Sequence, residues 1–280
     1  MIHIIADTTC SLPLTDLAAL RVPVLPQMII FGQDTYRDDT EIDTDTFLNR
    51  LRGASSLPKT SAPAPALYEP VYRACAGQGD TLLVITPSAE VSGTYRAASV
   101  AAQDFPNEDI RVIDSRTVAG GLGQLVLQAA AWAAAGMAPD AVEAAVRAMA
   151  AREQVYFIVD TLEYLYKGGR IGGAKALFGS LLQIKPILTI SAGRIDAVES
   201  QRTKKRAVAR VQELTLRDCP PGPDSHLTIT HCGALEEAQE AAAFFRSALN
   251  LSDVPIYITP PAIVVHAGPK VLSVSYFRAC

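Results

Sequence analysis

Apolar residues along this chain fall into short β-branched runs separated by helical stripes. Ile2–Ala6 is one such run and ends in Asp7-Thr8-Thr9; Thr81–Thr86 (TLLVIT) is a second and Arg111–Asp114 a third. Short apolar runs rich in β-branched residues read as buried strands. Val22–Phe31 reads as one strand with an irregular edge, because Pro23 and Pro26 interrupt it. Helical spacing covers Asp45–Arg52, Pro65–Ala76, Ser92–Ala102, Leu122–Ala135 and Ala138–Arg152, with a break at Gly136. Pro65 suits a first helical turn, where its missing N–H costs nothing. Alternation of strand and helix through residues 1–152 predicts a parallel sheet covered on both faces.

From residue 153 the pattern changes. Val155–Val159, Pro186–Ile190, Ile195–Glu199, His226–His231, Pro255–Ile258, Ala262–Ala267 and Val271–Phe277 read as strands. Ser191-Ala192-Gly193-Arg194 joins two of them as a hairpin turn. Helices are expected at Thr161–Lys167, Lys175–Leu182, Lys204–Leu216 and Leu235–Leu249. Strands outnumber helices here, which predicts a mixed α+β domain over 153–280.

Polar residues gather where the first-half strands end: Asp7 and Thr8, Thr86, then Asp114 and Ser115. Open parallel sheets bind ligands outside the carboxyl ends of their strands. The loop after Thr86 carries Ser88, Ser92, Gly93 and Thr94 just before a helix. Unpaired N–H groups and the positive dipole end make such a place suited to an anion, while a plain helix cap is the simpler use of Ser92. Thr60 and Ser61, in the proline-stiffened stretch PKTSAPAP, can bond a ligand headgroup or serve as loop and cap residues. His266 is expected to end an apolar strand before a Gly-Pro turn, where it either stays structural or meets a carboxylate or phosphate. Lys167 and Arg170, with Arg202, Lys204, Lys205 and Arg206, are solvated charges or a basic face for a partner or a phosphate.

Composition narrows the classes. The chain has 280 residues, 49% of them apolar and 19% charged, enough for a sizeable core. A net charge of −4 argues against a general nucleic-acid binder. The five cysteines are widely spaced without a CxxC, so neither a disulfide framework nor a zinc site is expected. His231-Cys232 offers no metal spacing, and the acidic run Asp34–Asp43 lacks the pattern of a calcium loop and reads as a solvated turn. LEYLYKGGRIGG places its glycines after a helix, unlike a dinucleotide fingerprint, and there is no GxxxxGK[ST] loop. Cys10 has no identifiable base partner. The start, MIHIIADTT, reads as a strand rather than a signal peptide, and no run approaches a membrane span. A cytoplasmic protein is expected.

Taken in order, ADTTCSLP, KTSAPAP, SAEVSGTYRAA, VIDSRTVAGGLG, DTLEYLYKGGRIGG, KPILTISAGRI and VVHAGPKVLSV resemble the DegV family of fatty-acid-binding proteins along nearly the whole chain. The resemblance implies an α/β protein of two domains: a Rossmann-like parallel-sheet domain, 1–152, with the headgroup loops, and a mixed-sheet α+β domain, 153–280, with tunnel walls and the HAGP turn. A long-chain fatty acid would lie in a tunnel between them, with no cofactor and no metal. Carried over, Thr60, Ser61, Ser92, Gly93, Thr94 and His266 would surround its carboxylate, and Arg170, Arg202 and Lys204 would meet a partner or a phosphate. The resemblance also implies a non-catalytic carrier that presents the acid to a separate fatty acid kinase. No integral membrane association is expected, and at most a transient membrane contact. For a chain of roughly C14–C18, about fourteen buried methylenes at roughly 0.8 kcal/mol each give about 11 kcal/mol gross, so the tunnel would set affinity and the hydroxyls orientation. TSAPA stands here where TSQPS is commoner in the family, which leaves both hydroxyls in place. The competing reading is a hydrolase or acyltransferase with Ser92 as nucleophile and His266 as base.

Overall fold

The computed structural model describes residues 1–77, 79–177 and 184–279. Strand β1 (Ile2–Asp7) passes through a 3-10 turn, Thr8–Cys10, into α1 (Leu14–Ala19), and the chain returns as β2 (Val24–Leu25). It continues through β3 (Met28–Phe31), β4 (Asp34–Arg37), α2 (Thr44–Gly53), β5 (Lys59–Ser61), α3 (Pro65–Cys75) and β6 (Thr81–Thr86). The first half closes with α4 (Thr94–Ala102), β7 (Asp109–Asp114), α5 (Ala119–Ala134) and α6 (Pro139–Ala150). The parallel sheet has the order β2-β1-β6-β7. Its side chains alternate between two cores. Ile4, Leu83 and Ile85 pack on α5 and α6, whereas Ile5, Leu82 and Val84 pack on α3 and α4. That is the arrangement a doubly covered parallel sheet requires.

The second half runs β8 (Glu153–Ile158), α7 (Glu163–Lys167), a 3-10 segment at Gly172–Leu177, β9 (Lys185–Ser191) and β10 (Arg194–Gln201). It ends with α8 (Lys204–Asp218), β11 (Thr228–His231), α9 (Leu235–Ala248), β12 (Ile256–Ile258), α10 (Pro261–Ala267) and β13 (Leu272–Phe277). The mixed sheet has the order β10-β9-β8-β13-β11-β12, with β11 and β12 parallel and the other pairs antiparallel. Ile158, Ile187 and Val274 face α8 and α9; Val155, Phe157 and Leu188 face the other way, toward α7 and α10. Among the described residues no strand pairing joins the two halves. Helix α5 bridges them instead: Gln124 Nε2 donates to Thr228 Oγ1 at 2.8 Å. A Cβ added at Gly120 would lie 3.0 Å from Thr228 and 3.2 Å from Thr230.

Several expectations are corrected. Val22–Phe31 is not one strand but two, β2 and β3, in different sheets. Pro26 breaks the run, and the Gln27 N–H leaves the ladder to donate to Asp38 Oδ1 at 2.8 Å. The acidic run is not simply a solvated turn: Asp34–Arg37 is β4, Asp38 accepts from Thr8 Oγ1, and Asp43 caps α2 by accepting from Thr46 N–H. Thr60 and Ser61 lie in β5, paired to β3, rather than in a loop. Ala262–Ala267 is helix α10, not a strand, and His266 stands in its last turn. Pro261 at its first position starts the helix, and burial of Val264 and Val265 outweighs their β-preference. α4 begins at Thr94 with Gly93 at the cap position, so Ser92 lies outside the helix. α1 has no counterpart in the sequence expectation. Of the helix expected at Lys175–Leu182, the first three residues are 3-10 and the remainder lies outside the described residues.

Candidate binding site

The site begins where β1 and β6 end. Asp7, at the end of β1, is 1% exposed. Its Oδ1 accepts from Thr9 N–H and O–H at 3.1 and 2.5 Å; its Oδ2 accepts from Gln27 Nε2 at 2.5 Å and from Thr94 Oγ1 at 3.2 Å. Gln27 Nε2 also reaches Thr94 Oγ1 at 2.9 Å. Burial pushes the Asp7 carboxyl up to about 6 against the four hydrogen bonds that favour its charge. Asp38, on Thr8 and the Gln27 backbone, is pushed up by burial to about 7.

Above this network the β6–α4 loop crosses to the second half. Ser88 Oγ donates to Gly193 O at 2.7 Å, in the β9–β10 turn, and Glu90 pairs with Arg194 at 2.7 Å. Ser88 is therefore a latch, not a ligand group. Ser92 Oγ stands 2.9 Å from Thr94 Oγ1. The adjacent Val91 carbonyl accepts from Arg170 Nε at 3.2 Å. Arg170 also donates to Gly168 O at 2.7 Å, so the glycine-rich turn after α7 holds its guanidinium in place. Gly172 serves the same turn: its φ is +50° and a Cβ there would meet Ile195 O at 2.1 Å.

His266 of α10 completes the cluster. Its Nε2 is 2.8 Å from Thr60 Oγ1. Its Nδ1 is buried without a partner among the described residues, against Gly168, where a Cβ would come within 2.4 Å. Burial, then the Arg170 charge, pushes the imidazole down to about 4, so it is neutral at neutral pH. A partnerless acceptor is tolerated better than a partnerless N–H. The ring proton therefore belongs on Nε2, donated to Thr60, and the Thr60 proton is free to point away.

These groups line one cavity of about 950 Å³, its open mouth included. Thr60, Ser92, Gly93, Arg170 and His266 are among its polar lining with Thr9 and Gln27, and Thr230, Thr259 and Ser273 add further hydroxyls. Val155, Phe157, Leu165, Ile190, Ile195 and Ile263 are among its apolar lining, mostly from the mixed sheet. Of the other expected site residues, Thr94 turns its hydroxyl into the Asp7 network. Ser61 is exposed and bonds Ala62 O. Arg202 is exposed, and Lys204 pairs with Glu237 at 2.8 Å; neither is a cavity residue. Arg170, expected on the same partner-facing surface, lies in the cavity wall instead. Thr9 and Gln27, which line the cavity, were not anticipated. Asp7-Thr8-Thr9 was visible as a polar strand end, but nothing local marks Gln27. Cys10 is fully buried, and burial pushes its thiol up to about 12, which makes it a poor nucleophile.

The chain is similar to known proteins along nearly its whole length. The family described as "Uncharacterised protein, DegV family" matches residues 1–279. A DegV domain-containing protein of Streptomyces coelicolor is 36% identical over 275 residues, covering 98% of this chain and 97% of that one. A solved DegV family protein of Thermus thermophilus, described by its fatty acid binding, superposes with a TM-score of 0.91 at 29% identity, covering 99% of each chain. A fatty-acid-binding DegV family protein of Streptococcus agalactiae gives 0.88 at 26% identity, covering 100% of this chain and 99% of that one.

Proposed function

The chain belongs to the DegV family, and on that premise we propose that it binds a long-chain fatty acid between its two halves, which we treat as domains meeting near residue 152. The observation that carries this reading is a cavity that joins a cluster of hydroxyls, Arg170 and His266 to mainly apolar walls. A carboxylate in such surroundings is costly unless hydrogen-bonded. Thr60 and Ser92 supply O–H donors and Arg170 a fixed positive charge. The chemistry fits a carboxylate and leaves a donor-rich surround for a phosphate added to it. Presentation of the bound acid to a separate fatty acid kinase is part of the proposal, with Arg202 and Lys204 as candidate contacts of that partner. A cytoplasmic location belongs to the same reading, supported by Cys10, Cys75, Cys219 and Cys232 forming no disulfide among the described residues.

The enzyme alternative requires Ser92 and His266 to share a hydrogen bond. Each is bonded elsewhere: Ser92 to Thr94, His266 to Thr60. Titration calorimetry with myristate tests the carrier reading, with saturation at one molecule per chain expected. Absence of binding by the folded protein would contradict it. Turnover of an acyl ester that vanishes in Ser92→Ala would favour the alternative.

A further inference from the structure

Asp7 is the most heavily bonded buried group near the cavity, and carboxylate binding alone does not explain it. Thr9 N–H and Gln27 Nε2 can only donate to it, and with the Thr9 and Thr94 hydroxyls donating as well the site suits an ionised carboxyl. The proton of Thr94 is then committed to Asp7 Oδ2 across 3.2 Å. The 2.9 Å gap between Ser92 Oγ and Thr94 Oγ1 still needs one proton, and Ser92 is the group left to supply it. An incoming carboxylate that takes the Ser92 proton as its hydrogen bond would leave two lone pairs facing across that gap. The conflict resolves if the whole chain turns over. Thr94 then donates to Ser92, Asp7 donates to Thr94, and Asp7 has gained a proton from solvent.

We propose that Asp7 is a positioning residue of the headgroup site, acting through Thr94 to set the direction of the Ser92 hydroxyl, and that carboxylate binding is coupled to uptake of one proton by Asp7. This rests on the carboxylate-binding reading given above. Each covalent change is a proton hop: one O–H bond forms on Asp7, and the hydroxyls of Thr94 and Ser92 only reorient. The raised affinity of buried Asp7 for a proton puts this uptake within reach near neutral pH. The titratable groups that face it are Asp38, beyond β4, Tyr68 on α3 and Cys10 in its own segment. Gln27, Thr9 and Thr94 do not titrate. Burial holds the Tyr68 hydroxyl and the Cys10 thiol neutral throughout. Asp38 is the one rival, and it has no hydrogen bond to Thr94 among those described.

The test is myristate binding by calorimetry between pH 6 and 8, in buffers of different ionisation enthalpy. An exposed carboxyl such as that of free myristate stays ionised over this range. The full-length protein should take up close to one proton per myristate at the alkaline end. Its affinity should tighten by about tenfold per pH unit there as pH falls. Asp7→Asn and Thr94→Val should bind with flat profiles and no uptake, while Asp38→Asn keeps the uptake. Should Asp7→Asn fail to fold, Thr94→Val decides, because it cuts the relay and leaves Asp7 in place. Myristate binding without proton uptake by the parent protein overturns the proposal. So does unchanged uptake in Thr94→Val, or loss of uptake in Asp38→Asn with Asp7→Asn unaffected. No binding at any pH would instead remove the carrier reading on which the proposal stands.

Discussion

Ser92 illustrates how little a residue's neighbours in sequence reveal about its work. Its hydroxyl accepts the Thr94 N–H at 3.3 Å, as a cap would, yet Gly93 occupies the cap position and Ser92 also lines the cavity. Truncating it should remove one charge-assisted hydrogen bond, roughly 1.5–3 kcal/mol. Ser92→Ala should therefore weaken myristate binding by about ten- to hundredfold without abolishing it; total loss in a folded variant would give the hydroxyl far more weight than the apolar walls. His266 behaves differently from an ordinary surface histidine. With its imidazole pushed down to about 4, it stays neutral from pH 5.5 to 8. Its ring NMR signals should not titrate in that range, and a midpoint near 6.5 would show that the ring is wetter than its packing implies. The polar cluster was partly legible before the fold was known. Thr60, Ser92 and His266 could be picked out as hydroxyls and an imidazole at strand ends and turns. Gln27 could not, because its role depends on a strand break that sends its N–H to Asp38, 11 residues further on. Arg170 resembled any solvated charge until the turn at Gly168–Gly172 folded it inward.

At the scale of elements, the β9–β10 hairpin carries a structural load out of proportion to its size. Its turn is fastened to the first half through Ser88 and Gly193, both buried. Gly193 has a φ of +82°, and a Cβ would sit 2.6 Å from Ser88 Oγ. Gly193→Ala therefore combines backbone strain with a steric clash. Ser88→Ala leaves a buried carbonyl without its partner, at about 1–3 kcal/mol. Urea unfolding should rank Gly193→Ala as the less stable variant and both below the parent. An indifferent Gly193→Ala would mean the latch is absent in solution. The hairpin and the parallel strands were readable from the sequence because their signals are local: a Ser-Ala-Gly-Arg turn and short β-branched runs. The segment 262–267 was not. Its run of Ile and Val fits a strand as well as a short helix, and only Pro261 and the core that receives Val264 and Val265 decide the matter. The third sheet, β4-β3-β5, was equally hidden, since a three-residue strand such as β5 has too little length for any period to show.

Across the whole molecule, buried carboxyls tie stability to pH. Asp7, Asp38 and Glu153 are pushed up by burial to about 6, 7 and 8. The folded chain thus holds these protons more tightly than the unfolded chain. The stability they contribute is full below the ordinary carboxylate range and is lost as pH rises from about 4 towards 8. The melting temperature of the ligand-free protein should accordingly fall between pH 5 and pH 8. Glu153 sits where the halves meet, pressed on Gly121 of α5, with one oxygen lacking a partner among the described residues. Glu153→Gln, neutral at every pH, should flatten the alkaline part of that decline. A variant as pH-sensitive as the parent would assign the decline to other groups.

The most direct measurement is mass spectrometry of the purified protein, first intact under native conditions and then after organic extraction. The expected result is one long-chain fatty acid, roughly C14–C18, per chain, enough to bury about fourteen methylenes in the cavity. A protein that comes out empty and also fails to take up added fatty acid would contradict the central claim, and the cavity beside Ser92 would need another occupant.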